Sequence, residues 1–201
     1  MPRRFDARSD LRGGTKYGFS GVKAGVKMSQ LYYEPAEPWA YAVSMKSEVF
    51  VVQRDVDRWG KRIDCSVSPF VKVSSQDTGG AWSMFEGVVA PGFGPPLHLH
   101  YCQEEWFQVK EGEFIFEADG AQYALKPGES ILIPRMIAHR FQNTGTSTGQ
   151  VLILAQPSGT LEQFFEEFLS LSVSELGGGC KLTELFARHG MEVLGPPFPE
   201  R

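Results

Sequence analysis

The chain has 201 residues, a formal net charge of −4 and 42% hydrophobic residues, enough for one domain whose core needs no disulfide or zinc staple. No run of 18 or more apolar residues occurs, which argues against a membrane partner. Residues 1–62 hold 12 basic against 7 acidic side chains, but these are scattered among Gly, Ser and Asp rather than clustered with aromatics, which argues against nucleic acid.

Cys65, Cys102 and Cys180 are odd in number, far apart and without a CxxC pair, as expected in a reducing, cytoplasmic compartment. The Arg3-Arg4 pair precedes a stretch carrying Asp6, Arg8, Asp10, Arg12 and Lys16 instead of an apolar core, so no export signal is read there.

In chain order, residues 1–45 are rich in Gly, Arg, Ser and Pro without a sustained period and are expected to form an arm. Residues 46–158 are expected to form a barrel. Short β-prone runs follow one another at Val49–Gln53, Phe70–Ser74, Trp82–Val89, Glu105–Val109, Glu113–Glu117, Ala121–Leu125, Ser130–Ile133, Ala138–Gln142 and Val151–Ala155. Gly or Pro turns between them predict an all-β barrel or sandwich. Hairpin turns are predicted at 110–113 and 118–121, where Gly112 and Gly120 can supply positive φ.

Residues 159–201 change period and are expected to form a helical tail. Leu161, Phe164, Phe165, Phe168 and Leu169 make one helical stripe after a Ser158 or Thr160 cap, and a second helix is predicted at Leu182–His189, closed by Gly190. The stripe is expected to cover one end of the barrel or a partner subunit, and with the arm it predicts a homodimer.

Three of the four histidines, His98, His100 and His139, fall inside the barrel segment. His98 and His100 are two apart and share one face of a strand. Alternation puts Glu105, Phe107 and Val109 on one face and Glu104, Trp106, Gln108 and Lys110 on the other, and it aligns His139 with Phe141 and Asn143. Glu105 is an odd five residues from His100, so a hairpin through Tyr101–Glu104 is expected to bring it to the same side. Three imidazoles and one carboxylate form an N3O donor set for one divalent transition metal, Fe, Mn, Ni, Cu, Co or Zn, rather than Mg or Ca.

The stretch from Gly92 to Gly112, with His98, His100 and Glu105, resembles the first cupin motif, G(X)5HXH(X)4E(X)6G. Gly128, Pro134, His139 and Asn143 resemble the second, G(X)5PXG(X)2H(X)3N, with Met136 where that pattern has Gly. The departure implies a less strained turn or a Met side chain over the pocket. The resemblance implies a cupin β-barrel, a double-stranded β-helix of jelly-roll type.

Pro95 to His100, Glu105 to Phe107 and the tail phrase His189 to Pro197 are similar to single-domain relatives of quercetin 2,3-dioxygenase. That likeness implies oxygen-dependent cleavage of a small aromatic or enediol substrate, with molecular oxygen as co-substrate. In such a mechanism Glu105 would be both ligand and base, its pKa raised by burial among Phe107, Phe114, Phe116 and Phe141, and these aromatics with Met136 are the candidate substrate pocket.

Two other readings keep the same metal ligands: a non-catalytic cupin that binds a small molecule, and a metal-dependent isomerase or lyase. Sugar-phosphate chemistry would need cations inside the barrel, whereas Lys72, Lys110, Lys126, Arg135 and Arg140 are predicted to face outward or to sit in turns.

Overall fold

The computed structural model describes residues 49–54, 56–60, 69–171 and 180–199. The predicted arm over 1–45 and Cys65 lie outside them. Among the described residues ten strands and two helices follow in order: β1 (Pro69–Val73), β2 (Ser83–Val89), β3 (Leu97–His100), β4 (Glu104–Glu111), β5 (Phe114–Ala118), β6 (Ala121–Leu125), β7 (Ser130–Ile133), β8 (His139–Asn143), β9 (Gly149–Gln156), α1 (Leu161–Ser170), α2 (Cys180–Arg188) and β10 (Met191–Gly195). They build two five-stranded antiparallel sheets, β1-β2-β9-β4-β7 and β10-β3-β8-β5-β6. This is the expected all-β barrel with a C-terminal helical appendage.

Period-2 alternation explains how each strand faces the interior. In β4 Glu105, Phe107 and Val109 are buried between less buried neighbours, and in β9 Gly149, Val151, Ile153 and Ala155 repeat the pattern. The inward side chains of both sheets meet in a core dominated by Phe85, Phe107, Phe114, Phe116 and Phe141. Burying each such ring contributes roughly 1.5–3 kcal/mol.

The turn at 118–121 is the predicted hairpin. Asp119 and Gly120 have φ of 52° and 74° between the paired residues Ala118 and Ala121, the backbone of a two-residue type I′ loop. The other two expected hairpins are not formed. Residues 101–103 and 112–113 carry the chain from one sheet to the other, because β4 pairs with β7 and β9 while β3 and β5 each pair with β8. The inward direction of Glu105 therefore comes from this change of sheet.

The expected strand at Val49–Gln53 is also absent. Val49 and Val51 are almost fully exposed, and β-branched residues without a pairing edge gain nothing from extended backbone.

In the C-terminal segment, α1 and α2 pack through Phe164 and Phe186, whose ring centroids lie 4.9 Å apart edge-on. Glu162, in the first turn of α1, accepts hydrogen bonds from Ser74 Oγ at 2.9 Å and from the Ser75 amide, which fastens the helix to the loop after β1. After Gly190, in the left-handed region at φ 72°, the chain returns to the barrel as β10 and pairs with β3, so Met191 faces His100 and Val193 faces His98. The sequence reading had no strand here.

Candidate metal centre

The four candidate ligands converge from both sheets. β3 supplies His98 and His100, β8 supplies His139 directly opposite His98, and β4 supplies Glu105 from the facing sheet. One donor atom from each of the four lies within 4.8 Å of all the others, and all four side chains are buried.

The outer ring nitrogens decide what the inner ones can do. His98 Nδ1 donates to Pro96 O at 2.8 Å and His139 Nδ1 to Ile137 O at 2.9 Å. Gln103 Nε2 donates to Ser158 O at 2.8 Å, which turns its Oε1 toward His100, so His100 Nδ1 donates to that oxygen at 3.2 Å. In neutral rings each Nε2 is then a bare lone pair.

Glu105 Oε2 lies 3.0 Å from His139 Nε2 and 3.2 Å from His100 Nε2, and the latter nitrogen is buried without a hydrogen-bond partner. Lone pairs and a carboxylate facing one another at that distance repel unless a proton or a cation stands between them. Three fixed imidazoles and a carboxylate therefore fit a divalent transition metal on the chemistry of the donor set.

Without a cation the titrations respond to the same crowding. Burial, reinforced by the charges of His139 and His100, pushes His98 well below the ordinary imidazole value. Burial also lowers His100, but the adjacent Glu105 carboxylate and the Gln103 oxygen outweigh it and raise its pKa.

For Glu105 burial pushes the carboxyl up, yet His100 and His139 more than offset this and hold it well below the usual carboxylate range. The expectation that apolar burial would raise Glu105 is thus corrected. Its oxygen lies 3.0 and 3.2 Å from two imidazole nitrogens as well as among phenyl rings, and these polar interactions outweigh the desolvation.

The site opens into a cavity of ≈ 270 Å³. Of the five expected pocket residues, Phe107 and Phe141 line it. Phe114 and Phe116 do not; they are 1% and 0% exposed and stack deeper in the core. Met136 is not on the wall either, and is 55% exposed. Met136 stands at φ 67° with its amide donating to His100 O at 2.8 Å, so the turn keeps the left-handed backbone of a glycine and the methionine bears the strain. Both expectations for Met136, a relaxed turn or a cover over the pocket, are corrected.

Barrel residues such as Val89, Val151 and Ile153 form part of the remaining wall, and the helices form another part. Leu161, Phe164, Phe165, Phe168, Leu182 and Phe186 of α1 and α2 face the cavity, and Phe186 meets His98 edge-on at 5.3 Å. Leu161 and Phe164 of this stripe are buried within the chain, whereas Leu169 is 43% exposed. His189, at the end of the second helix, bridges the helices. Its Nε2 donates to Glu167 Oε1 at 3.1 Å, and its Nδ1 lies 2.9 Å from Thr160 Oγ1.

Gln103 was missed altogether. Its polarity between two ligand positions was the available signal, and Gly159 marks its packing, since a Cβ there would stand 2.6 Å from Gln103 Nε2.

Residues 85–155 match the family described as Cupin domain. That match runs from β2 to β9 and takes in all four candidate ligands. Over 70 residues it is 41% identical to Protein SchB of Streptomyces halstedii, a stretch covering 34% of this chain and 51% of that protein. Over 63 residues it is 40% identical to Oxidoreductase iacF of Pestalotiopsis fici, covering 31% of each. The chain thus spans about half or less of the length of these two relatives.

Among solved structures the chain is similar to an uncharacterized conserved protein with a double-stranded β-helix domain from Klebsiella pneumoniae. The TM-score is 0.44 at 18% identity, covering 56% of this chain and 92% of the other. Among the described residues, no helix is long and apolar enough to cross a membrane.

Proposed function

We propose that the chain is a metal-dependent oxidoreductase that acts with molecular oxygen on a small aromatic or enediol compound. The observation that carries this reading is the set of three Nδ1 donations, which leave three Nε2 atoms and the Glu105 carboxylate aimed at one point at the base of an apolar cavity. His98, His100, Glu105 and His139 would hold the ion, and the chemistry it supplies there is Lewis acidity toward a phenol or enol oxygen. The names of two relatives agree with redox work: Oxidoreductase iacF, and Probable oxidoreductase virH of Hypocrea virens, 28% identical over 79 residues.

The chain's own part is to orient the substrate and take its proton. Glu105 would be the acceptor, its carboxylate standing beside His100 and His139 at the base of the cavity, while Phe107 and Phe141 flank a flat ring and exclude water.

Metal analysis of the purified chain, followed by oxygen-electrode assays with catechols, flavonols and enediols, tests the reading. Glu105→Gln should keep ligand binding within about tenfold, a difference of about 1.4 kcal/mol. Oxygen consumption should fall by at least about a hundredfold with the loss of the base. Ligand binding without turnover in any metal form would make the chain a carrier or sensor and refute the enzyme.

A further inference from the structure

We propose that the cavity selects compounds that bind with one ionised oxygen on an otherwise uncharged, apolar body, and that α1 and α2 enforce this choice. The proposal rests on the metal-dependent reading above and names the substrate class within it.

Charge balance is the first argument. A divalent ion held by three neutral imidazoles and one carboxylate leaves a net charge of +1, which a single phenolate or enolate neutralises. A ligand bearing a second anionic group would leave that charge buried.

The second argument is that nothing on the wall could receive such a group. Among the described residues lining the cavity, the four metal ligands are the only polar side chains. Cations close in sequence to the site are committed elsewhere: Arg140, next to His139, is paired with Glu117, and Arg135 with Glu104. Lys72 and Lys110 both pair with Glu86. A second ionised group in the cavity, a carboxylate or phosphate beyond the oxygen at the ion, would therefore lack a partner in a medium that cannot hydrate it.

The third argument is the roof. Phe164, Phe165, Phe168 and Phe186 give the helix side an aromatic surface, and a volume of ≈ 270 Å³, below the range usual for drug-sized ligands, suits a compound of one or two rings.

A matched pair of probes tests the idea on the full-length chain loaded with Zn(II), which is redox-inert, so binding is read without turnover. 4-Propylcatechol and 3-(3,4-dihydroxyphenyl)propanoate share the chelating ring and differ in whether the side chain ends in a methyl or a carboxylate. Calorimetric titration should find the propyl compound bound at least about a hundredfold more tightly. Equal affinities, tighter binding of the acid, or no binding of either overturns the proposal.

Phe168→Arg, in the partly exposed last turns of α1, should narrow the preference by about tenfold or more by giving the carboxylate a partner. Circular dichroism verifies that this variant folds, and Leu182→Lys serves if it does not. A folded variant with unchanged preference removes the helices from the proposal. If the preference holds but no redox-active metal form consumes oxygen with the bound propyl compound, the oxygenase reading fails and the cavity's selectivity stands.

Discussion

The barrel strands and the segment after residue 158 contribute to the same cavity with opposite chemistry. β3, β4 and β8 bring every polar atom that could touch a metal, whereas α1 and α2 bring only apolar surface, much of it aromatic. Reactivity and selectivity are thus carried by parts of the chain that obey different sequence rules, one of period two and the other of period 3.6. They are joined by the β10–β3 pairing, the Glu162 hydrogen bonds, Arg140 donating to the Pro196 and Pro197 carbonyls, Phe85 against Phe165, and Gln103, which links His100 to the backbone just before α1.

The division is tested most severely from the barrel side. His98→Ala or His139→Ala should remove the metal while leaving a folded barrel, because the aromatic core does not depend on the ion. The loss of affinity should exceed the roughly 100-fold that removal of an outer-shell partner can cost. Metal content by mass spectrometry with circular dichroism reads both parts, and stoichiometric metal in either variant would contradict the ligand assignment.

From the helix side, Phe186→Ala should lower stability by about 3–5 kcal/mol, since its ring is buried against Phe164 and His98. Its metal content should match wild type. Chemical denaturation and metal analysis decide between this outcome and one in which metal and helix packing are lost together.

At the junction, Gln103→Leu removes the acceptor that fixes the His100 tautomer and should weaken metal binding by about 10- to 100-fold. Gln103→Glu retains an acceptor oxygen and should recover part of that loss in competition titrations with a chelator. Equal weakening by both variants would mean that Gln103 acts through packing alone.

The smallest effect is expected at Met136. Met136→Gly relieves a left-handed residue and should stabilise the chain by up to about 1 kcal/mol, or about 2–4 °C in Tm. A melting temperature unchanged or lowered would show that the side chain contributes more than its backbone strain costs.

Alternation along single strands was enough to choose Glu105 over Glu104 and to align His139 with Phe141, because a strand has only two faces and one of them must be buried. The same logic gave most of the strands and both helices, and residue spacing gave the four ligands. It failed where the partner of a segment lies far away in sequence. Val49 and Val51 look like a strand but have no edge to pair with, while Met191–Gly195 becomes one because β3 offers an edge. Phe114 and Phe116 share an inward face with their neighbours, yet lie beyond the cavity because Phe107 and Phe141 stand between them and the ligands.

What the sequence determined by itself is therefore local and periodic: which residues face inward, and which donor atoms could meet one ion. What only the tertiary structure decided is the environment of those atoms. The low pKa of Glu105, the anchoring of Gln103 on Ser158 and the aromatic roof from α1 and α2 all join residues tens of positions apart or on different sheets. No periodicity encodes such contacts, because they are set by how two sheets and two helices close around one volume.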